Sequence, residues 1–306
     1  VGSKSNGFTL SIQKTINHPI LYFHPMKLIA CLSLLVLFFS CKNKSIKEQE
    51  DSIYSRHLQR KVTLKIWNTP LPSDKNELNL LLLNDGQDAN GIRVKEILDS
   101  LDKAGQILPL LIVGIEAGDR MQEFGVAGKP DFEKRGSKAD NYDAFINDEL
   151  YFFIKKKAGV RKFKSVAIAG WSLGGLSAFD IAFNHPEKID KAGIFSGSFW
   201  WRDKDTKDST YLDDKNRIEI ARIKASRRKS KQDFWFYAGQ QEEPGDRDKD
   251  GITDVVDDTQ DVRNLLIEKG ITDEQHSPLI LGAKGQHAVP DWGKQFPGFL
   301  VWAFGK

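Results

Sequence analysis

Hydrophobic and polar positions change period in blocks along this chain. Lys61–Trp67 alternates residue by residue, the period of a strand with one buried face. Residues 77–83 and 108–115 are apolar nearly throughout, as strands buried on both faces are, and the first ends in the turn signal Asn84-Asp85-Gly86. Between them, Ile92, Val94, Ile97, Leu98 and Leu101 recur at helical spacing and predict a helix over 92–104. Further strands are predicted at 163–169, 191–195, 233–237 and 277–281, and further helices at 142–157, 173–184, 258–269 and 292–304. The highly charged stretch 202–232 reads as an exposed insertion with a helix over 215–228. Strands and helices alternating in this way predict an α/β fold, one mostly parallel sheet with helices on both faces. No internal repeat is visible, so residues 60–306 are assigned to one domain.

The first 41 residues have a different character. Met26-Lys27 precedes twelve apolar residues, Leu28–Phe39, and then Ser40-Cys41, the pattern of a secretory signal peptide. Twelve residues are too few for a comfortable membrane span. A Cys directly after a small residue resembles the lipobox of bacterial lipoproteins, which marks Cys41 for lipidation. Residues 1–25 are read as upstream translation ahead of Met26, and 42–59 as a polar tether. Together these predict an exported, periplasmic or cell-surface protein held to a bacterial membrane by a lipid anchor.

Charge and cysteine usage narrow the chemistry. Of 45 Lys and Arg, three fall in the acid-free first 41 residues, leaving 42 basic against 42 acidic residues in the remainder. A neutral body of this kind argues against a nucleic-acid partner held by phosphate contacts. Both cysteines, Cys31 and Cys41, lie in the leader. The body therefore has no disulfide, no Cys-ligated zinc and no Cys nucleophile.

Gly170-Trp171-Ser172-Leu173-Gly174 matches G-x-S-x-G. Alone the motif is weak, but here it stands between a predicted buried strand and a predicted apolar helix, the context a strained strand-to-helix turn requires. Ser172 is accordingly the candidate nucleophile. In that arrangement an acid and a His follow in order. His287 sits just past the last predicted strand, where a general base can reach the serine, whereas His57, His185 and His276 fall in the tether, at a helix end and at a strand start. The acid belongs after strand 233–237, where Glu242 is the first choice and Glu243 the second. Two backbone N–H groups complete such a site as an oxyanion hole: Leu173, after the nucleophile, and Gln87, in the turn after the early strand.

With these residues in place the sequence resembles the putative esterases of the α/β-hydrolase superfamily. That group includes enterochelin-type siderophore esterases, S-formylglutathione hydrolase relatives and feruloyl or acetylxylan esterases. The matching stretches are 82–87, 114–120 with Glu123, 145–150, 170–175, Ser196-Gly-Ser-Phe-Trp-Trp201 and the His287 loop, and they span nearly all of residues 60–306. The resemblance implies carboxylic-ester hydrolysis with no organic cofactor, and leaves the acyl group open.

Asp246-Arg-Asp-Lys-Asp-Gly-Ile-Thr-Asp-Val-Val-Asp257 spaces oxygen ligands as a calcium loop does: Asp246, Asp248, Asp250, the Ile252 carbonyl, Asp254 and Asp257, with Gly251 at the turn. Position 12 is Asp rather than Glu, and a strand precedes the loop, so it is closer to extracellular DxDxDG loops than to a paired EF-hand. A structural Ca²⁺ here is expected to pin the segment bearing the acid. Trp171, Trp200 and Trp201 are candidates for the substrate pocket, or for core packing. Arg120, near Glu123, is a candidate for an anionic substrate group, or for an ion pair. Arg227–Lys231 reads as a solvated helix end. The leading expectation is a serine esterase; the alternative is a surface lipoprotein that binds a glycan or siderophore on a hydrolase fold without turnover.

Overall fold

The computed structural model describes residues 46–228 and 230–306; the predicted signal segment and Cys41 lie outside them. Eight strands form one sheet in the order β1-β2-β4-β3-β5-β6-β7-β8. They are β1 (Gln49–Ser55), β2 (Arg60–Asn68), β3 (Asn79–Leu83), β4 (Leu110–Ile115), β5 (Val166–Trp171), β6 (Lys191–Phe195), β7 (Asp233–Gly239) and β8 (Leu279–Gly282). β1 pairs with β2, and β2 with β4, in antiparallel fashion, while the pairs from β4 through β8 are parallel.

Past their first residues the central strands are almost wholly apolar, because each face meets a helical layer. Leu80 and Leu82 belong to one core, with Ile154 of α2 (Tyr151–Ala158), Phe179 of α3 (Leu173–Asn184), Ile223 of α4 (Ile218–Ala225) and Leu266 of α5 (Asp254–Glu268). Leu81 and Leu83 point the other way, to Leu98 of α1 (Val94–Lys103) and Phe299 and Leu300 of α6 (Val289–Phe304). Each such leucine, fully removed from water, contributes about 1.5–3 kcal/mol. α2 is entered through Ala139–Ala144 and a π turn over Phe145–Leu150.

Two expectations are corrected. The polar tether assigned to 42–59 is in part a strand: β1 pairs along its whole length with β2, placing Glu50 opposite Lys65. An edge strand tolerates charge on its open side, so its polar composition imitates a linker. The charged stretch 202–232 is not simply exposed. Ile218, Ile220 and Ile223 anchor it in the core, and it carries two buried ionisable side chains, Arg217 and Glu219, inward. Arg217 donates to Asp258 (2.6 Å) and Asp261 (2.7 Å) on α5. Glu219 is fully buried beside Arg222 and Asp180 of α3; burial, opposed by Arg222 and reinforced by Asp180, pushes its pKa up to about 8.

Parallel strands deliver the loops that follow β3, β4, β5, β6, β7 and β8 to one edge of the sheet. The carboxyl edge is where such sheets hold ligands, and the motif residues collect there.

Candidate active site

β5 ends at Trp171 and α3 begins at Leu173, leaving Ser172 alone in the turn with φ 55° and ψ −124°. A non-glycine residue held there is strained and persists only when its surroundings fix it. The Ser172 N–H donates to the Phe195 carbonyl (2.9 Å), and its own carbonyl accepts from Ser198 (3.2 Å) and Leu176 (3.0 Å). The flanking glycines have a steric cause. A Cβ on Gly170 would collide with the Gly174 carbonyl, and one on Gly174 with the Asp85 carboxylate. Leu173 opens α3, so its N–H has no intrahelical acceptor.

The turn after β3 lies against that first turn of α3. Asn84, fully buried, donates from Nδ2 to the Gly174 carbonyl (2.8 Å) and accepts from the Tyr142 hydroxyl (2.7 Å). Asp85, at φ 57°, begins the short 3₁₀ turn Gly86–Asp88 that carries Gln87. Burial pushes the Asp85 carboxyl up, against the Arg120 guanidinium. Arg120 grips it with two bonds, Nε to Oδ1 (2.7 Å) and Nη2 to Oδ2 (2.9 Å), and reaches the Trp171 carbonyl (3.3 Å). The Gln87 side chain also bonds Asp85 (2.8 Å). Arg120 thus braces the two segments that carry Gln87 and Leu173. Of the two readings of Arg120, the structure bears out the ion pair, with Nε and Nη2 engaged by Asp85 and the Trp171 carbonyl. It does not pair with Glu123, which accepts instead from Arg60 (2.7 and 2.6 Å).

On the other side of the elbow, Glu242 Oε2 and His287 Nδ1 are 2.7 Å apart. The Glu242 side chain is fully buried, and its Oε1 accepts from the Gly239 N–H (2.7 Å) and the Ser196 hydroxyl (2.5 Å). Glu243 is exposed, so Glu242 is the acid that meets the His. With Nδ1–H given to the carboxylate, Nε2 is left as the basic nitrogen. The Trp292 ring stands edge-on to His287 at 5.0 Å, stacks on Trp171 at 5.9 Å, and donates Nε1–H to Ser196 Oγ (2.9 Å). Ser172 Oγ makes no hydrogen bond among the described residues, and none joins it to His287. Without substrate such bonds are often long and tighten only on binding.

Of the three candidate pocket tryptophans, the structure puts only Trp200 at the surface of the cleft. Trp171 is buried, with Nε1 donating to Asp88 (3.0 Å). Trp201 is fully buried against Gly125 and Gly136, with Nε1 donating to the Lys129 carbonyl (3.0 Å). These two are structural, because indoles that find both a partner and an apolar bed stay in the core.

The acidic loop gathers Asp246, Asp248 and Asp250 with carboxylate oxygens within 4.8 Å of one another. Burial, reinforced by Asp261, Asp258, Asp248 and Asp250, pushes Asp257 up to about 6. Asp254 is turned aside: it accepts from the Arg247 N–H (2.9 Å) and pairs with the Arg247 guanidinium (3.2 Å). Ile252 is exposed. A hard cation fits the Asp246, Asp248 and Asp250 set, with Asp257 beside it, but Asp254 is not free to join them without leaving Arg247.

Sequence reasoning missed Asn84, Tyr142, Ser196 and Trp292. Asn84 and Ser196 lie inside stretches that carried the family resemblance, and that proximity was the only available signal. Tyr142 and Trp292 read as ordinary helix residues, because nothing in a sequence shows where a side chain ends.

A family model described as putative esterase matches residues 55–303, and the chain belongs to that family. The crystal structure of the enterobactin esterase from Shigella flexneri superposes with a TM-score of 0.63 at 20% identity, over 84% of this chain and 59% of that one. A ferulic acid esterase superposes at 0.61 with 17% identity, over 85% and 98% of the two chains. An IroE-like serine hydrolase from Shewanella oneidensis does so at 0.62 with 16% identity, over 84% and 79%. This chain therefore spans about three fifths of the enterobactin esterase it matches. The shared feature is the α/β-hydrolase fold.

Proposed function

We propose that the protein is a serine carboxylic-ester hydrolase working through an acyl-enzyme. His287 Nε2 takes the Ser172 proton as Oγ bonds to the ester carbonyl carbon. The oxyanion so formed lies against the N–H groups of Leu173 and Gln87, each worth about 2.7–4 kcal/mol in the transition state. His287 returns the proton to the leaving alkoxide, releasing the alcohol. Water then enters, gives a proton to His287, and attacks the acyl carbon; collapse frees the acid and restores Ser172. Glu242 holds the tautomer and stabilises the imidazolium at each pass. The observation that carries this reading is the 2.7 Å bond between Glu242 and His287 at the same sheet edge as the strained Ser172.

The substrate class we favour is a feruloyl or acetyl glycan ester or a siderophore ester, after the neighbours named for ferulic acid and enterobactin. The aspartates at 246, 248, 250 and 257 would hold a structural Ca²⁺, which supplies charge neutralisation to the loop after β7 and takes no part in the reaction. Residues 26–41 support export and lipid attachment at Cys41; loss of membrane fractionation in Cys41→Ser tests that assignment.

The deciding experiment is hydrolysis of p-nitrophenyl acetate and butyrate, with fluorophosphonate labelling, beside Ser172→Ala. Turnover and labelling are expected to vanish together in the variant. An unmodified protein that neither labels nor turns over, with calcium present, leaves the non-catalytic binder as the better reading.

A further inference from the structure

Ester hydrolysis as such needs no guanidinium, yet the cleft beside His287 and Glu242 contains one without a counter-ion. The cleft measures about 330 Å³, room for a ring and its substituents, and its outer wall is made by Phe132, Arg135, Trp200 and Arg202. The two arginines differ. Arg135 is saturated, pairing with Asp131 and, at 3.2 Å, with Glu133. Arg202 has no carboxylate partner among the described residues. Its Nη1 donates to the Trp200 carbonyl (3.3 Å), and its Nε is buried with no acceptor among the described residues. A buried donor left unpaired is costly unless a ligand completes it.

Arg202 is also held in place. Its carbonyl accepts from the Phe132 N–H (3.0 Å), and its backbone bridges that of Arg217. Its guanidinium lies 5.3 Å from the Phe132 ring and 6.0 Å from the Trp200 ring. The carboxylates of the same cleft do not compete for it: Glu133 pairs with Arg135, Asp254 with Arg247 and Glu242 with His287, while Glu243 is exposed. What remains is a fixed guanidinium, spent only through Nη1 and with Nη2 unpartnered among the described residues, between two aromatic faces. A planar carboxylate matches the guanidinium fork, and an aromatic ring matches its walls.

We propose that Arg202, flanked by Phe132 and Trp200, anchors a free carboxylate borne on an aromatic ring, so that among arene-bearing esters, feruloyl and siderophore types included, one that also carries a free carboxylate is preferred. This rests on the cleft being the ester site, and the test separates the two ideas. Benzoate and its neutral isostere benzamide are titrated calorimetrically into the unmodified protein, which requires no turnover. Benzoate is expected to bind about tenfold or more tightly, as charge-assisted bidentate bonds outweigh neutral ones. Arg202→Gln should bring the two ligands level, and Arg202→Lys should recover part of the difference. In turnover, the ratio of kcat/KM for 4-acetoxybenzoate over phenyl acetate should fall about tenfold in Arg202→Gln. Equal affinity for benzoate and benzamide, or no binding of either, overturns the Arg202 site whatever the enzyme hydrolyses. Selective benzoate binding by a protein that turns over no ester keeps the site and overturns the esterase chemistry instead. Because the ligand pair is compared on the unmodified chain, a variant that fails to fold does not remove the test.

Discussion

Trp292 Nε1 donates to Ser196 Oγ at 2.9 Å, joining α6 to the loop after β6 across 96 positions of sequence. The same hydroxyl donates onward to Glu242 Oε1 at 2.5 Å, so the carboxylate facing His287 is held by a chain that starts in the core. Ser196 keeps this place at a cost, since its φ of 49° is rare for a residue with a side chain. Ser196→Ala should lower kcat about tenfold with KM nearly unchanged, the worth of one charge-assisted hydrogen bond. Trp292→Phe should act in the same direction. A KM effect with intact kcat would mean that the pair serves binding and not the acid.

Glu242→Gln keeps the size of the side chain but reverses the tautomer offered by His287. The expected loss in kcat is about 10³–10⁴-fold, with fluorophosphonate labelling slowed in parallel. Glu243→Gln, on an exposed neighbour, should leave both measurements within about twofold of the unmodified protein. Equal losses at the two positions would contradict the geometry.

Calcium should raise the thermal midpoint of the protein, and EDTA should lower it, with activity following stability. Asp248→Asn should abolish the shift, because Asp248 belongs to the cluster whose carboxylates lie within 4.8 Å. Asp254→Asn should diminish it little, since that side chain is engaged by Arg247. An identical midpoint with and without calcium removes the ion from the description.

Glu219 supplies a pH test. Its pKa is raised on folding from the ordinary 4.5 to about 8, chiefly by burial. The folded chain therefore holds a proton that the unfolded chain has lost. Stability from this group is greatest below pH 4.5 and declines as pH rises to about 8, where the loss is complete. Glu219→Gln has no proton to lose. Urea unfolding at pH 5, 6.5 and 8 should show a shallower decline in the variant, and parallel curves would assign the buried acid no titration in this range.

The order of strands and helices was legible because period and burial agree: Leu80 through Leu83 must meet apolar layers on both sides, and they do. The placement of Ser172 and His287 at the carboxyl edge of the sheet was legible because the expected nucleophile chemistry prescribes both their order and their position there. β1 was not, since an edge strand needs only backbone bonds and Gln49–Ser55 carries the composition of a linker. The choice between pocket and core for the tryptophans stayed open for a related reason. Trp171, Trp200 and Trp201 are chemically alike in sequence, and only the small space beside Gly125 and Gly136 decides that Trp201 turns inward. Arg120 looked available because Asp85, its partner, is 35 positions away.

The Arg120 brace has a consequence for how this molecule can change. By tying Asp85 to the Trp171 carbonyl it makes the turn after β3 and the approach to Ser172 a single rigid wall. In the proposed mechanism, a residue exchanged on that wall disturbs both oxyanion donors at once. Phe132, Arg135, Trp200 and Arg202, which also line the cleft, make no hydrogen bond to either turn among the described residues. New acyl or alcohol groups can therefore be admitted by redrawing one side of the cleft while the other side, with its chemistry, stands still.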